Sequence, residues 1–149
     1  RRRFLLPHVF QETASMQPTR TLLLLDDEEN VLRSLVRLFR RDGYRILAAG
    51  NVRDAFDLLA TNDVQVILSD QRMSDMSGTE FLGRVKMLYP DTVRLVLSGY
   101  TDLATVTEAI NRGAIYRLLP SPWNDDELRE HIRQAFRTHR ERQPLAGPP

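Results

Sequence analysis

Apolar residues fall into five short runs along the chain: TLLLL at 21–25, YRILAA at 44–49, VQVILS at 64–69, VRLVLS at 93–98 and AIYRLL at 114–119. Several are apolar nearly throughout instead of alternating, which is the pattern of strands covered on both faces. Between the runs the period lengthens to that of a helix. Over 28–41, Val31, Leu35 and Phe39 recur every fourth residue with Leu32 and Val36 beside them, while Arg33, Arg37 and Arg40 take the other side. Gly43 is placed to cap the C-terminus of that helix. Residues 52–61 carry Ala55, Phe56, Leu58 and Leu59 on a helical period, and 78–88 form a third helix that Pro90 stops. A fourth, 102–111, presents Leu103, Val106 and Ile110 on one face and is followed by Gly113. The last opens at SPWNDDEL, with Asn124 as N-cap and Glu127 completing a capping box. The resulting order, βαβαβαβαβα with short links, predicts an α/β fold: a parallel sheet wound on both faces by helices.

The length, 149 residues, fits one domain with a sizeable core. The ordered part is expected over 19–140. Residues 1–18 read as a tail or as residues added to the natural chain, with Met16 a candidate natural start, and 141–149, ending in RQPLAGPP, read as a linker or tail. The opening RRRFLLPHVF loosely resembles a twin-arginine export signal, but Pro7 and His8 interrupt its apolar part and QETAS follows it. No run is long enough to span a membrane, so a cytoplasmic location is expected. Net charge is +1, which gives no global field toward nucleic acid or acidic membranes. The chain has no cysteine, so disulfides and thiolate metal sites are excluded.

Candidate chemistry follows from where the strands end. Open α/β sheets bind ligands outside the carboxyl ends of their strands. The first run ends in Asp26 and Asp27, the third in Asp70, the fourth in Ser98 and Gly99, and the fifth in Pro120, Ser121 and Pro122. If strands 1, 3, 4 and 5 are neighbours, three carboxylates and two hydroxyls share one rim. Like charges so placed repel unless a cation is present, and an all-oxygen donor set suits Mg²⁺. His8, His131 and His139 lie in the tail and last helix, away from the rim. Asp27, Glu28 and Glu29 are expected in the first turn of a helix, where acids favour the dipole, and for Glu28 and Glu29 that accounts for them.

The segments LLLLDDEENVLRSL, VILSDQRMSDMSGTEFL, VRLVLSGYTD and GAIYRLLPSPWNDDEL, in this order and spacing, resemble the receiver domain of two-component response regulators. The resemblance covers about residues 20 to 138. Its wording, especially SDQRM, GTEFL and SGYTD, is similar to receivers attached to cyclic-di-GMP phosphodiesterase or enhancer-type transcription modules. It implies a flavodoxin-like strand order 2-1-3-4-5 in a (βα)5 fold. It also implies roles: Asp70 as the phosphoacceptor, Asp26 and Asp27 with Asp70 as Mg²⁺ ligands, and the backbone carbonyl of Arg72 as a further ligand. Ser98 would donate a hydrogen bond to the phosphoryl group, and Gly99 would leave room for it. The phosphodonor would be a histidine kinase, a phosphotransfer protein or a small phosphodonor. The chain would be a self-phosphorylating regulatory domain rather than a turnover enzyme.

Three positions depart from that pattern. Ser121 stands where the family has lysine, Leu118 where it has tyrosine or phenylalanine, and Ser74 where it has proline. A serine hydroxyl donates a hydrogen bond without charge, leucine cannot copy an aromatic rotamer switch, and Ser74 is expected only to loosen its loop. Tyr116, two residues from Leu118, is not a direct replacement for the missing ring. Two other functions compete. One is a degenerate receiver acting as a phosphorylation-independent docking or dimerisation module. The other is a hydrolase of the haloacid dehalogenase type, which wants Asp-x-Asp after the first strand where this chain has Asp26 and Glu28. An output domain outside this chain is expected, with no DNA binding by this chain alone. The resemblance also implies dimerisation or output contact through helix 4, strand 5 and helix 5, a face assigned Asp102, Glu108, Arg112, Arg117, Arg129, Glu130 and Arg133, with a solvated surface as the alternative.

Overall fold

In a computed structural model, which describes residues 19–144, Leu22 and Leu24 bury in one core cluster and Leu23 and Leu25 in another on the opposite face of the sheet. That is why the first strand is apolar without a break. Residues 1–18, expected as a tail, and the proline-rich end at 145–149 lie outside the described residues. The strands are β1 Thr21–Leu25, β2 Arg45–Ala49, β3 Val66–Asp70, β4 Val93–Ser98 and β5 Arg117–Pro120. They form one parallel sheet in the order β2-β1-β3-β4-β5, the flavodoxin-like order expected. The helices are α1 Glu29–Arg40, α2 Val52–Thr61, α3 Gly78–Leu88, α4 Leu103–Asn111 and α5 Asp125–Arg142. A short 3-10 turn, Tyr100–Asp102, leads into α4.

Each helix buries the stripe its sequence carries. α1 contributes Leu35 and Phe39, and α5 contributes Leu128, Ile132, Ala135 and Phe136, to the core on one face. α2, α3 and α4 cover the other with Val52, Ala55, Leu59, Phe81, Leu82, Val85, Val106 and Ala109. Gly43 and Gly113 both take positive φ after their helices, as C-terminal caps require. Asn124 accepts the N–H of Glu127 at 3.0 Å, the expected cap of α5. No helix among the described residues is long and apolar enough to cross a membrane.

Four details differ from the sequence pattern. α1 begins at Glu29, so Asp27 lies before the helix and outside its first turn. Leu103, the first residue of α4, is 48% exposed, and the buried face of that helix is Val106 and Ala109. α5 runs to Arg142, two residues beyond the expected domain end. β5 begins at Arg117 although Ala114 and Ile115 are buried. The cause is Arg94, buried on β4. Its guanidinium donates to the carbonyls of Ala114 (2.8 Å), Gly113 (3.1 Å) and Thr92 (2.8 Å). The carbonyls of Gly113 and Ala114 thus satisfy a buried cation instead of a strand ladder.

Candidate functional site

Because β1, β3, β4 and β5 are consecutive neighbours, the strand ends meet. Leu25 pairs with Ser69, Asp70 with Leu97 and Ser98 with Pro120. Asp26, Asp27 and Asp70 each offer a carboxylate oxygen, and these atoms all lie within 4.8 Å of one another. Asp26 is buried, Asp70 half-buried and Asp27 exposed. Asp26 Oδ1 accepts the N–H of Glu28 at 2.8 Å. That bond tightens the turn from β1 into α1 and leaves its second oxygen for the rim.

The carboxylates disturb one another. Asp70 is pushed up to about 7, first by burial and then by the charge of Asp26, with Asp27 and Glu28 adding less and the N–H of Gln71 opposing. Asp26 is also raised, chiefly by burial, against the favourable Glu28 N–H. Clustered oxygen donors that hold protons for want of a counter-charge fit a hard divalent cation such as Mg²⁺.

The two serines lie at the ends of the neighbouring strands β4 and β5. Ser98 is buried at the end of β4, and its Oγ donates to the carbonyl of Gly99 at 3.1 Å. Ser121 N–H donates to the Ser98 carbonyl at 3.2 Å, and the Ser121–Pro122 peptide is cis. A Cβ on Gly99 would sit 3.8 Å from the Ser121 carbonyl, an ordinary contact, so space near Ser98 is not set by glycine alone.

The loop from β3 to α3 is tied down at several points. Gln71 N–H donates to the carbonyl of Leu97 at 3.0 Å. Its side chain is buried, accepting the N–H of Thr79 at 2.8 Å and donating to Thr79 Oγ1 at 3.2 Å. Gly78 N–H returns to the Gln71 carbonyl at 2.9 Å. A Cβ on Gly78 would lie 2.3 Å from the Asp70 carbonyl oxygen, so only glycine lets the loop close this tightly. Asp75 accepts the N–H of Val52 at 3.0 Å, and Arg72 reaches Asp102 across the rim. Ser74 N–H donates to Asp27 Oδ2 at 2.9 Å. The expected loosening at Ser74 is therefore not what the structure has: a proline has no N–H, and this position uses its N–H to hold an acid of the cluster. Gly78, Gln71 and Asp75 escaped the sequence pattern because their partners lie on other segments or in the backbone.

Residues 22–133 match the model of the response regulator receiver domain. The chain belongs to this family. The hydrogenase transcriptional regulatory protein HoxA of Bradyrhizobium diazoefficiens is 39% identical over 120 residues, which is 80% of this chain and 24% of that protein. The signal receiver domain of an HD domain-containing protein from Pseudomonas fluorescens superposes with a TM-score of 0.79 at 35% identity, over 87% of this chain and 98% of the other. An uncharacterized protein from Neptuniibacter caesariensis gives 0.81 at 37%, over 87% and 97%. The receiver spans about a quarter of the length of the transcriptional regulators it matches.

The departure at Leu118 has a structural setting. Leu118 packs half-buried toward the α2–α4 side of the sheet. Tyr116 packs toward α1 and α5, its hydroxyl 3.2 Å from Thr138 Oγ1, so it does not stand in for a ring at Leu118. The face assigned to α4, β5 and α5 also needs correction. Arg129 turns away to Asp42, beyond the end of α1, in a paired contact of 2.6 and 3.1 Å. Asp102 is engaged by Arg72.

Proposed function

We propose that this receiver accepts a phosphoryl group on Asp70 in Mg²⁺-dependent transfer from a histidine kinase or phosphotransfer protein. The observation that carries the reading is one cluster. Asp70 stands half-buried at the end of a central strand, in one cluster with Asp26 and Asp27, and burial and the charge of Asp26 push it up to about 7. Carboxylates serve as nucleophiles in such chemistry. One oxygen of Asp70 attacks phosphorus, the bond from phosphorus to the donor nitrogen or oxygen breaks, and its electron pair leaves with the donor.

Asp26, Asp27, Asp70 and the backbone carbonyl of Arg72 would hold Mg²⁺, which supplies positive charge against the transferring group. The protein's own part is positional. Asp26 is fixed by Glu28 N–H and Asp27 by Ser74 N–H. The Ser98 hydroxyl turns from the Gly99 carbonyl to donate to a phosphoryl oxygen. Ser121, held to Ser98 through the backbone, adds at most an uncharged hydrogen bond. Output belongs to a further domain of a longer cytoplasmic protein, and α4, β5 and α5 form the surface for self-association.

Intact mass after acetyl phosphate treatment tests the reading. The protein should gain one phosphoryl group with Mg²⁺, none with chelator, and less in Asp27→Asn. A gain that is equal with and without Mg²⁺ contradicts the metal assignment.

A further inference from the structure

Arg72 leaves the loop after β3 and lies against the start of α4. Its Nε donates to Asp102 Oδ2 at 3.1 Å, and its Nη2 donates to Thr101 Oγ1 at 3.0 Å and Asp102 Oδ1 at 3.4 Å. Arg72 and Asp102 share a cavity of about 610 Å³ with Asp27, Glu28 and Ser74. Among the residues lining that cavity, Arg72 carries the single positive charge. Ser121, on the other side of the rim, carries none.

Asp102 occupies the N-cap position of α4 yet makes no capping bond. Aspartate is among the best N-caps because its carboxylate accepts the N–H of the second or third helical residue, here Ala104 or Thr105. The N-cap side chains of α2, α3 and α5 (Asn51, Ser77 and Asn124) all accept such an N–H. In α4 the carboxylate is instead engaged by Arg72.

We propose that Arg72 is an exchangeable latch, leaving Asp102 for the phosphoryl group carried on Asp70, whereupon Asp102 caps α4. This rests on Asp70 being the phosphoacceptor. The Arg72 side chain is 70% exposed, so its present ion pair is solvent-screened and readily exchanged. A phosphoryl group offers more charge and a planar, two-point match to a guanidinium. Arg72 is two positions beyond Asp70, roughly 6.6 Å of extended backbone, a span an arginine side chain can cover. The same movement supplies a cation at the rim, where Ser121 has none, and passes the event to α4 without an aromatic at Leu118. Two ligands for one guanidinium, and two partners for one carboxylate, make the element bistable.

The test is amide NMR with beryllofluoride and Mg²⁺ on wild type, Arg72→Gln and Asp102→Asn. Wild type should bind and move the amides of Ala104 and Thr105. Arg72→Gln should bind at least roughly tenfold more weakly, the loss expected for one charge-assisted contact, and leave those amides in place. Asp102→Asn frees Arg72 and keeps a capping side chain. It should show the start of α4 displaced toward the bound position before beryllofluoride is added, and bind it more tightly. If Arg72→Gln fails to fold, Asp102→Asn decides alone. Wild-type affinity and wild-type shifts in both variants overturn the latch while leaving Asp70 as acceptor. Failure of wild type to bind beryllofluoride at Asp70 removes the phosphoacceptor itself, and the latch with it.

Discussion

Ser74 donates its backbone N–H to Asp27 Oδ2 at 2.9 Å. Asp27 is the most exposed acid of the cluster, and this bond is the one among the described contacts that fixes its carboxylate. The bond ties the metal side of the rim to the loop between β3 and α3. Ser74→Ala keeps the N–H and should leave the Mg²⁺-induced rise in thermal stability unchanged. Ser74→Pro removes the donor and should reduce that rise, by mass action on a weakened site. Equal Mg²⁺ responses in the two variants would show that Asp27 needs no such anchor.

Asp70 binds its proton more tightly in the folded chain, with a value of about 7 against an ordinary 3.8. Between those values the folded state carries more of that proton than the unfolded state, so this group's contribution to stability falls as pH rises through the window. Asp26 acts in the same direction. His131 and His139 are both lowered by burial and oppose it, gaining stability with pH as they approach neutrality. Asp42, held down by Arg129, contributes stability that is lost only on stronger acidification. Subtracting Asp70→Asn from wild type cancels the groups that do not interact with Asp70, the two histidines and Asp42 among them. In urea unfolding with chelator present, wild type should lose stability relative to Asp70→Asn between about pH 4 and pH 7. Saturating Mg²⁺ should suppress that relative loss. A difference that stays flat with pH would mean that Asp70 titrates normally.

Gly78 is a steric requirement. An added Cβ would lie 2.3 Å from the Asp70 carbonyl oxygen and 3.0 Å from the Cα of Gln71, both backbone atoms that cannot swing aside. Gly78→Ala should destabilise the domain by about 1–3 kcal/mol, as overpacking does. It should also displace the backbone at Asp70. Gly83→Ala, with nothing within 4 Å of the added Cβ, is the control and should show no comparable loss.

Ser121→Lys places a cation beside the carboxylates. The carboxyl resonance of Asp70 should then titrate lower than in wild type, because a nearby positive charge favours the ionised form. Beryllofluoride-induced amide shifts should extend further into β5 and α4 than in wild type. An Asp70 titration that does not move would mean the new side chain does not reach the cluster.

The layering was legible because burial on both faces leaves an unbroken apolar run, as in Leu22 to Leu25. Asp26, Asp70 and Ser98 were legible because they end such runs. What the sequence concealed depends on groups that every residue carries. The N–H of Ser74, the carbonyls that Arg94 collects and the close approach at Gly78 have no compositional signature. Arg129 and Asp102 looked like surface charge on one face because helical spacing does not show that their partners, Asp42 and Arg72, lie on other elements.

The most direct measurement is the location of the phosphoryl group after acetyl phosphate and Mg²⁺. Peptide mass spectrometry should place it on Asp70, hydroxylamine should remove it as it does an acyl phosphate, and Asp70→Asn should fold and gain nothing. A phosphoryl group that survives hydroxylamine, or that persists in Asp70→Asn, would contradict the account.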